Sequence, residues 1–119
     1  MNEARIRLER AQSALFERLA AAMSELNDPE LSSLTLLEVK LARGRRDAHL
    51  YIDAAGVSKS DQTRLVAKLK KASGFLAGFV TANDGWFKSP ALHFVFDDTL
   101  EKAAHLEQIF KEIHRDGEP

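Results

Sequence analysis

Cysteine is absent from this chain of 119 residues, which excludes a disulfide framework and any thiolate metal site and fits a reducing compartment. No apolar run approaches the roughly 20 residues needed to cross a bilayer. The N-terminus, with Glu3, Arg5, Arg7, Glu9 and Arg10, has no signal-peptide core, so a soluble cytoplasmic protein without a membrane partner is expected. Phosphate-cradling glycine signatures and nucleophile motifs are missing as well. The four histidines, His49, His93, His105 and His114, are scattered without metal-ligand spacing, and turn and capping duties explain the Asp97-Asp98 pair. No enzyme activity, metal, cofactor or small-molecule substrate is therefore expected. There is no repeat, linker or low-complexity stretch to divide the chain. With 45% hydrophobic residues it can bury one core, which predicts a single domain over residues 1–114 and a polar tail over residues 115–119.

Charge is present in nearly equal amounts of each sign, with a net value of −1, but it is segregated along the chain. Lys59, Arg64, Lys68, Lys70 and Lys71 face the single anion Asp61, whereas residues 97–119 carry seven anions and three cations. Arg43, Arg45 and Arg46 form a second positive cluster around Gly44. Either cluster alone reads most simply as a solvated face; two of them point toward an anionic partner.

Hydrophobic spacing gives the element order. Leu8, Ala11, Leu15, Leu19, Ala22 and Leu26 recur at three and four, predicting a helix over residues 5–26 that Asn27-Asp28-Pro29 ends. Leu37, Val39 and Leu41 alternate with Glu38 and Lys40, and Ala48, Leu50, Ile52 and Ala54 with His49, Tyr51 and Asp53. These read as two strands of an antiparallel hairpin with the arginines at its tip. Ser58 is placed to cap a helix that carries Asp61 in its first turn. A third strand centres on Leu92, Phe94 and Phe96, and Asp98 with Glu101 resembles a cap for a last helix through Ala103, Leu106, Phe110 and Ile113.

The middle helix carries a candidate break. Leu65, Leu69, Ala72 and Leu76 share one arc at about 100° per residue, but Phe75 falls among Arg64, Lys68 and Lys71. A kink at Ser73-Gly74 would turn Phe75, Phe79 and Val80 toward a core and divide the element into two helices. Locally this is either a helix cap with no ligand or a bend whose amides meet a phosphate. The resulting order is α-β-β-α-α-β plus a terminal helix, an α+β fold.

Four stretches in this order, Asp28-Pro29-Glu30-Leu31, Ala48-His49-Leu50-Tyr51-Ile52, Ala72-Ser73-Gly74-Phe75-Leu76 and Pro90-Ala91-Leu92-His93-Phe94 with Asp97, resemble the ribosome-binding factor A family. The resemblance implies a type II KH-like domain with a three-stranded sheet and an Ala-x-Gly kink between two helices. It also implies a non-enzymatic monomer that binds the free small ribosomal subunit and its 16S rRNA, assists late maturation and serves cold adaptation. RNA contacts would then come from Arg43, Arg45, Arg46, Arg64, Lys68, Lys70 and Lys71, with Ala72, Ser73 and Gly74 at the kink. This chain departs from the family pattern at Glu30, Ala77, Asn83-Asp84-Gly85-Trp86-Phe87-Lys88 and His93, which thins the positive surface. The competing expectation is a KH-like protein-interaction module, or a diverged homologue with weakened RNA binding.

Overall fold

The computed structural model describes residues 3–83, 88–98 and 108–109. Helix α1, Glu3–Ser24, leads through the single turn α2, Pro29–Ser32, into strand β1, Leu36–Leu41. A short 3-10 turn, Arg43–Arg45, joins it to strand β2, Asp47–Asp53; helix α3, Lys59–Asn83, then crosses to strand β3, Ala91–Asp97. The sheet order is β1-β2-β3, with β1 antiparallel and β3 parallel to the central strand. Such a mixed sheet follows from the connections. A tight turn can only reverse the chain, whereas a crossover of 25 helical residues returns it parallel.

Alternation sorts the strand side chains onto two faces. Leu36, Val39, Leu41, Ala48, Leu50, Ile52 and Phe94 are buried against Leu15, Leu19, Ala22 and Met23 of α1 and Leu65, Leu69, Leu76 and Val80 of α3. A register shift between Leu36 and Glu38 adds one residue to β1 and restores the inward phase at Val39. On the other face stand Lys40, His49, Tyr51, His93 and Val95, and no helix of the described residues buries them.

The α+β class, the hairpin and the third strand are as expected; the helix break is not. Residues 59–83 form one helix, and no residue near Gly74 has a positive φ. Leu65, Leu69, Ala72, Leu76 and Val80 keep one phase on both sides of Ser73-Gly74, so a continuous helix already buries the leucines and the valine and packs Ala72 against them. Ser73 needs no break either, because its hydroxyl donates to the Lys70 carbonyl at 2.6 Å. Phe75 stays on the basic arc at 50% exposure instead of turning inward, and its ring meets only Phe79, with centroids 6.2 Å apart, among the ring contacts described. Phe79 and Val80 do pack on the core as expected. The terminal helix, its Asp98–Glu101 cap, Trp86, Phe87 and the domain limits lie wholly or partly outside the described residues.

Glycine inside a helix costs about 0.5–1 kcal/mol relative to alanine. Nothing lies within 4 Å of a Cβ built on Gly74. Gly74→Ala is therefore expected to raise stability by about 0.5–1 kcal/mol in urea unfolding. A loss of stability would mean that this position has to leave helical geometry.

Candidate nucleic-acid interface

The arginine turn is built by two consecutive left-handed residues. Gly44 has φ 81° and Arg45 φ 57°, a conformation that costs glycine little and other residues more. Two bonds close it: Ala42 N–H donates to the Asp47 carbonyl at 2.9 Å, and Arg45 N–H to the Ala42 carbonyl at 2.9 Å. Arg43, Arg45 and Arg46 are all exposed around it. An arginine held at positive φ where glycine or asparagine would be easier is the kind of local strain that accompanies a functional demand on the side chain.

Helix α3 does not present its cations as one patch. At about 100° per residue, Arg64, Lys68, Lys71 and Phe75 share a side while Lys70 points about 100° away from Lys71. Arg64 and Lys68 are engaged within the chain. The two guanidinium nitrogens of Arg64 donate to the two Glu30 oxygens at 2.8 and 2.7 Å, and Arg64 also reaches Asp61 at 3.3 Å. Lys68 Nζ lies 2.9 Å from Glu30 Oε1 and 2.6 Å from Asp28 Oδ2. Asp28 uses its other oxygen to cap α2, accepting from Glu30 N–H at 3.0 Å. Pro29 fixes the first turn of α2, so the Asp28-Pro29-Glu30 segment holds both carboxylates toward α3.

These charges alter each other. Hydrogen bonds from Arg64 and then Lys68 hold the Glu30 carboxyl down at about 2, against an ordinary 4.5. The Lys68 bond likewise lowers Asp28, and Lys68 itself is raised, first by Asp28 and then by Glu30. Since the folded value of Glu30 lies below the unfolded one, its contribution is complete above pH 4.5 and is lost as pH falls through about 2. Glu30→Gln is therefore expected to lower the urea midpoint at neutral pH, with the gap to the parent closing between pH 4.5 and 2. A gap that persists at pH 2 would contradict this pairing.

The site residues expected from sequence thus fall into three groups. Arg43, Arg45 and Arg46 meet at the turn. Arg64 and Lys68 are paired with Asp28 and Glu30, so an RNA phosphate at those positions would compete with carboxylates. Lys70 and Lys71 are exposed and point in different directions, beside Ala72, Ser73 and Gly74 in the helix interior. A continuous helix commits its interior amides to its own carbonyls, so the outward amides expected at the kink are not available. The sequence spacing also concealed His49 and His93, which the parallel register sets side by side. Their rings stack with centroids 4.8 Å apart, and His93 Nε2 lies 2.8 Å from Asp47 Oδ1. Only pairing of β2 with β3 could have revealed that contact. Among the described residues no group of three or more histidine or acidic side chains is arranged to hold a metal ion.

The sequence profile of ribosome-binding factor A matches residues 7–110. This chain belongs to the ribosome-binding factor A family. A ribosome-binding factor A from Helicobacter pylori is 42% identical over 105 residues, spanning 88% of this chain and 89% of the relative. Among solved structures, a Thermotoga maritima protein determined by NMR superposes with a TM-score of 0.68 at 28% identity, covering 80% of this chain and 90% of that one. A homology model of the Thermus thermophilus ribosome-binding factor A, fitted into a cryo-EM map of its complex with the 30S subunit, gives a TM-score of 0.60 at 22% identity, over 73% of this chain and 91% of that one. Glu30, one of the departures from the family pattern noted in the sequence, is the partner of two cations of α3, Arg64 and Lys68.

Proposed function

We propose that this chain is a non-enzymatic assembly factor that binds the free small ribosomal subunit through 16S rRNA and assists its late maturation, with a role in cold adaptation. The observation that carries this reading is the family match over residues 7–110, which extends from α1 through β3. The Thermus thermophilus relative's complex with the 30S subunit supports the choice of partner. The exposed arginine turn supports the choice of RNA: three guanidinium groups on one short turn suit a phosphate backbone, recognised by shape more than by base sequence. Lys70 and Lys71 add weaker contacts from α3. The factor acts as a cytoplasmic monomer.

Pairing of Arg64 and Lys68 with Glu30 favours a second form of the same reading, a homologue whose hold on RNA is weaker along α3. Sedimentation with purified small subunits, large subunits and intact ribosomes tests the partner. The protein is expected to travel with free small subunits alone, and equal recovery with large subunits would contradict the proposal.

A further inference from the structure

The arginine turn stands between two clefts, and each adds cations that its own cluster lacks. One cleft, of about 640 Å³, is lined by Ala4, Arg5, Arg7 and Leu8 of α1 together with Arg43, Gly44 and Arg45. The other, of about 530 Å³, is lined by Arg45, Arg46, Lys88, Ser89 and Ala91. Arg45 lines both.

Each wall is fixed by a hydrogen bond. Gln12 Oε1 of α1 accepts from Leu41 N–H at 2.8 Å, which sets the helix against the end of β1. Ala91 N–H donates to the Arg46 carbonyl at 2.8 Å, which ties the start of β3 to the turn. The cations therefore converge through the fold, although Arg5, Arg43 and Lys88 lie far apart in sequence.

Two ion pairs described at the first cleft are exposed ones. Arg5 Nε lies 3.2 Å from Glu9 Oε1 and Arg7 Nη2 lies 3.5 Å from Glu3 Oε2, each within one helix turn. All four side chains are at least 60% exposed. Exposed pairs of this kind contribute little and are screened by salt, so a phosphate can displace them. Arg64 is different, because Glu30 grips it with two parallel bonds.

We propose that the two clefts form one RNA-backbone site, in which the turn sits between phosphodiester segments held by Arg5, Arg7 and Arg43 on one side and by Arg46 and Lys88 on the other, with Arg45 shared. This site, and not α3, supplies most of the charge that grips RNA. The inference rests on the reading that small-subunit RNA is the partner.

Salt dependence tests it, since each phosphate contact contributes roughly 0.7 to 0.9 to the slope of log K against log salt. Binding of the full chain to purified small subunits is expected to lose roughly 1.4–1.8 of that slope in Arg5→Gln plus Arg7→Gln, and roughly 0.7–0.9 in Lys88→Gln. The two losses should add, because Arg5 and Arg7 line one cleft and Lys88 the other. Glu3→Gln plus Glu9→Gln should tighten binding by releasing Arg5 and Arg7, and by more than Glu17→Gln plus Glu25→Gln, which changes net charge equally on α1 and just past its end, among residues that do not line the cleft. Unchanged thermal midpoints certify that the variants fold.

If the parent binds with a steep slope and the arginine and lysine variants keep it, the two-cleft site is wrong while the choice of partner stands. Equal effects of the two glutamate pairs would likewise overturn the site, reducing it to a net-charge effect. Absence of binding by the parent would overturn both.

Discussion

Leu50→Ala should cost about 3–5 kcal/mol of folding stability, the upper part of the range for a leucine removed from a packed core. Leu50 lies on the central strand at 0% exposure, opposite Val39 in β1 and Phe94 in β3, and faces a layer made by α1 and α3. Neighbours on both sides are held by backbone pairing, so they cannot easily close the cavity. Domains of this size are stable by about 5–15 kcal/mol, so one substitution would remove a large share. In a melting experiment the loss corresponds to a fall of roughly 10–20 °C. A penalty below about 1 kcal/mol would show that the sheet and the helices do not share one tightly packed core.

Neutralising the turn, by Arg43→Gln, Arg45→Gln and Arg46→Gln together, should weaken small-subunit binding by about two orders of magnitude near 0.1 M salt. Three lost phosphate contacts at roughly 0.7–0.9 each give this figure, and the salt slope should fall by about 2–3. Stability should change little, because all three side chains are exposed and the turn is closed by backbone bonds. Binding that keeps both its strength and its slope would remove the turn from the interface.

These two expectations draw on parts of the molecule that the sequence disclosed well. Strand alternation identified Leu50 as a core residue, and Gly44 between two alternating runs located the arginines at a hairpin tip. Local period suffices for such features. Phe75 shows where it fails. Its position among cations suggested that the helix must break to bury it, yet the structure leaves the ring half exposed, since the leucines around it already satisfy the core from one continuous face. A rule that every phenylalanine seeks the interior was weaker than the phase of the whole helix.

Electrostatic partners were harder to anticipate. Glu30 was recognisable as a departure from the family pattern, but its contact with Arg64 spans 34 positions and arises only when α2 packs beside α3. Arg5 and Arg7 offered even less: in the sequence they counted only against a signal-peptide core, and in the structure they are exposed members of i,i+4 pairs. Their placement beside the turn follows from tertiary packing, fixed in part by Gln12 at the edge of β1. The stacked pair His49 and His93 depends in the same way on the register of two strands separated by α3.

The absence of cysteine makes a direct test possible, because a single introduced thiol gives a unique tether. Ala4→Cys and Ser89→Cys would place an iron chelate in each of the two clefts, and Val95→Cys would place one on the open face of the sheet, four residues along β3 from Ala91 at the edge of the second cleft. Hydroxyl radicals generated from the tether cleave only RNA that lies close by. On purified small subunits, the proteins carrying a probe at positions 4 and 89 should cut 16S rRNA strongly in neighbouring segments, and the protein probed at position 95 should cut it weakly. Strong cleavage from position 95 with none from 4 or 89, by protein that remains bound, would contradict the assignment of the arginine turn as the RNA-binding surface.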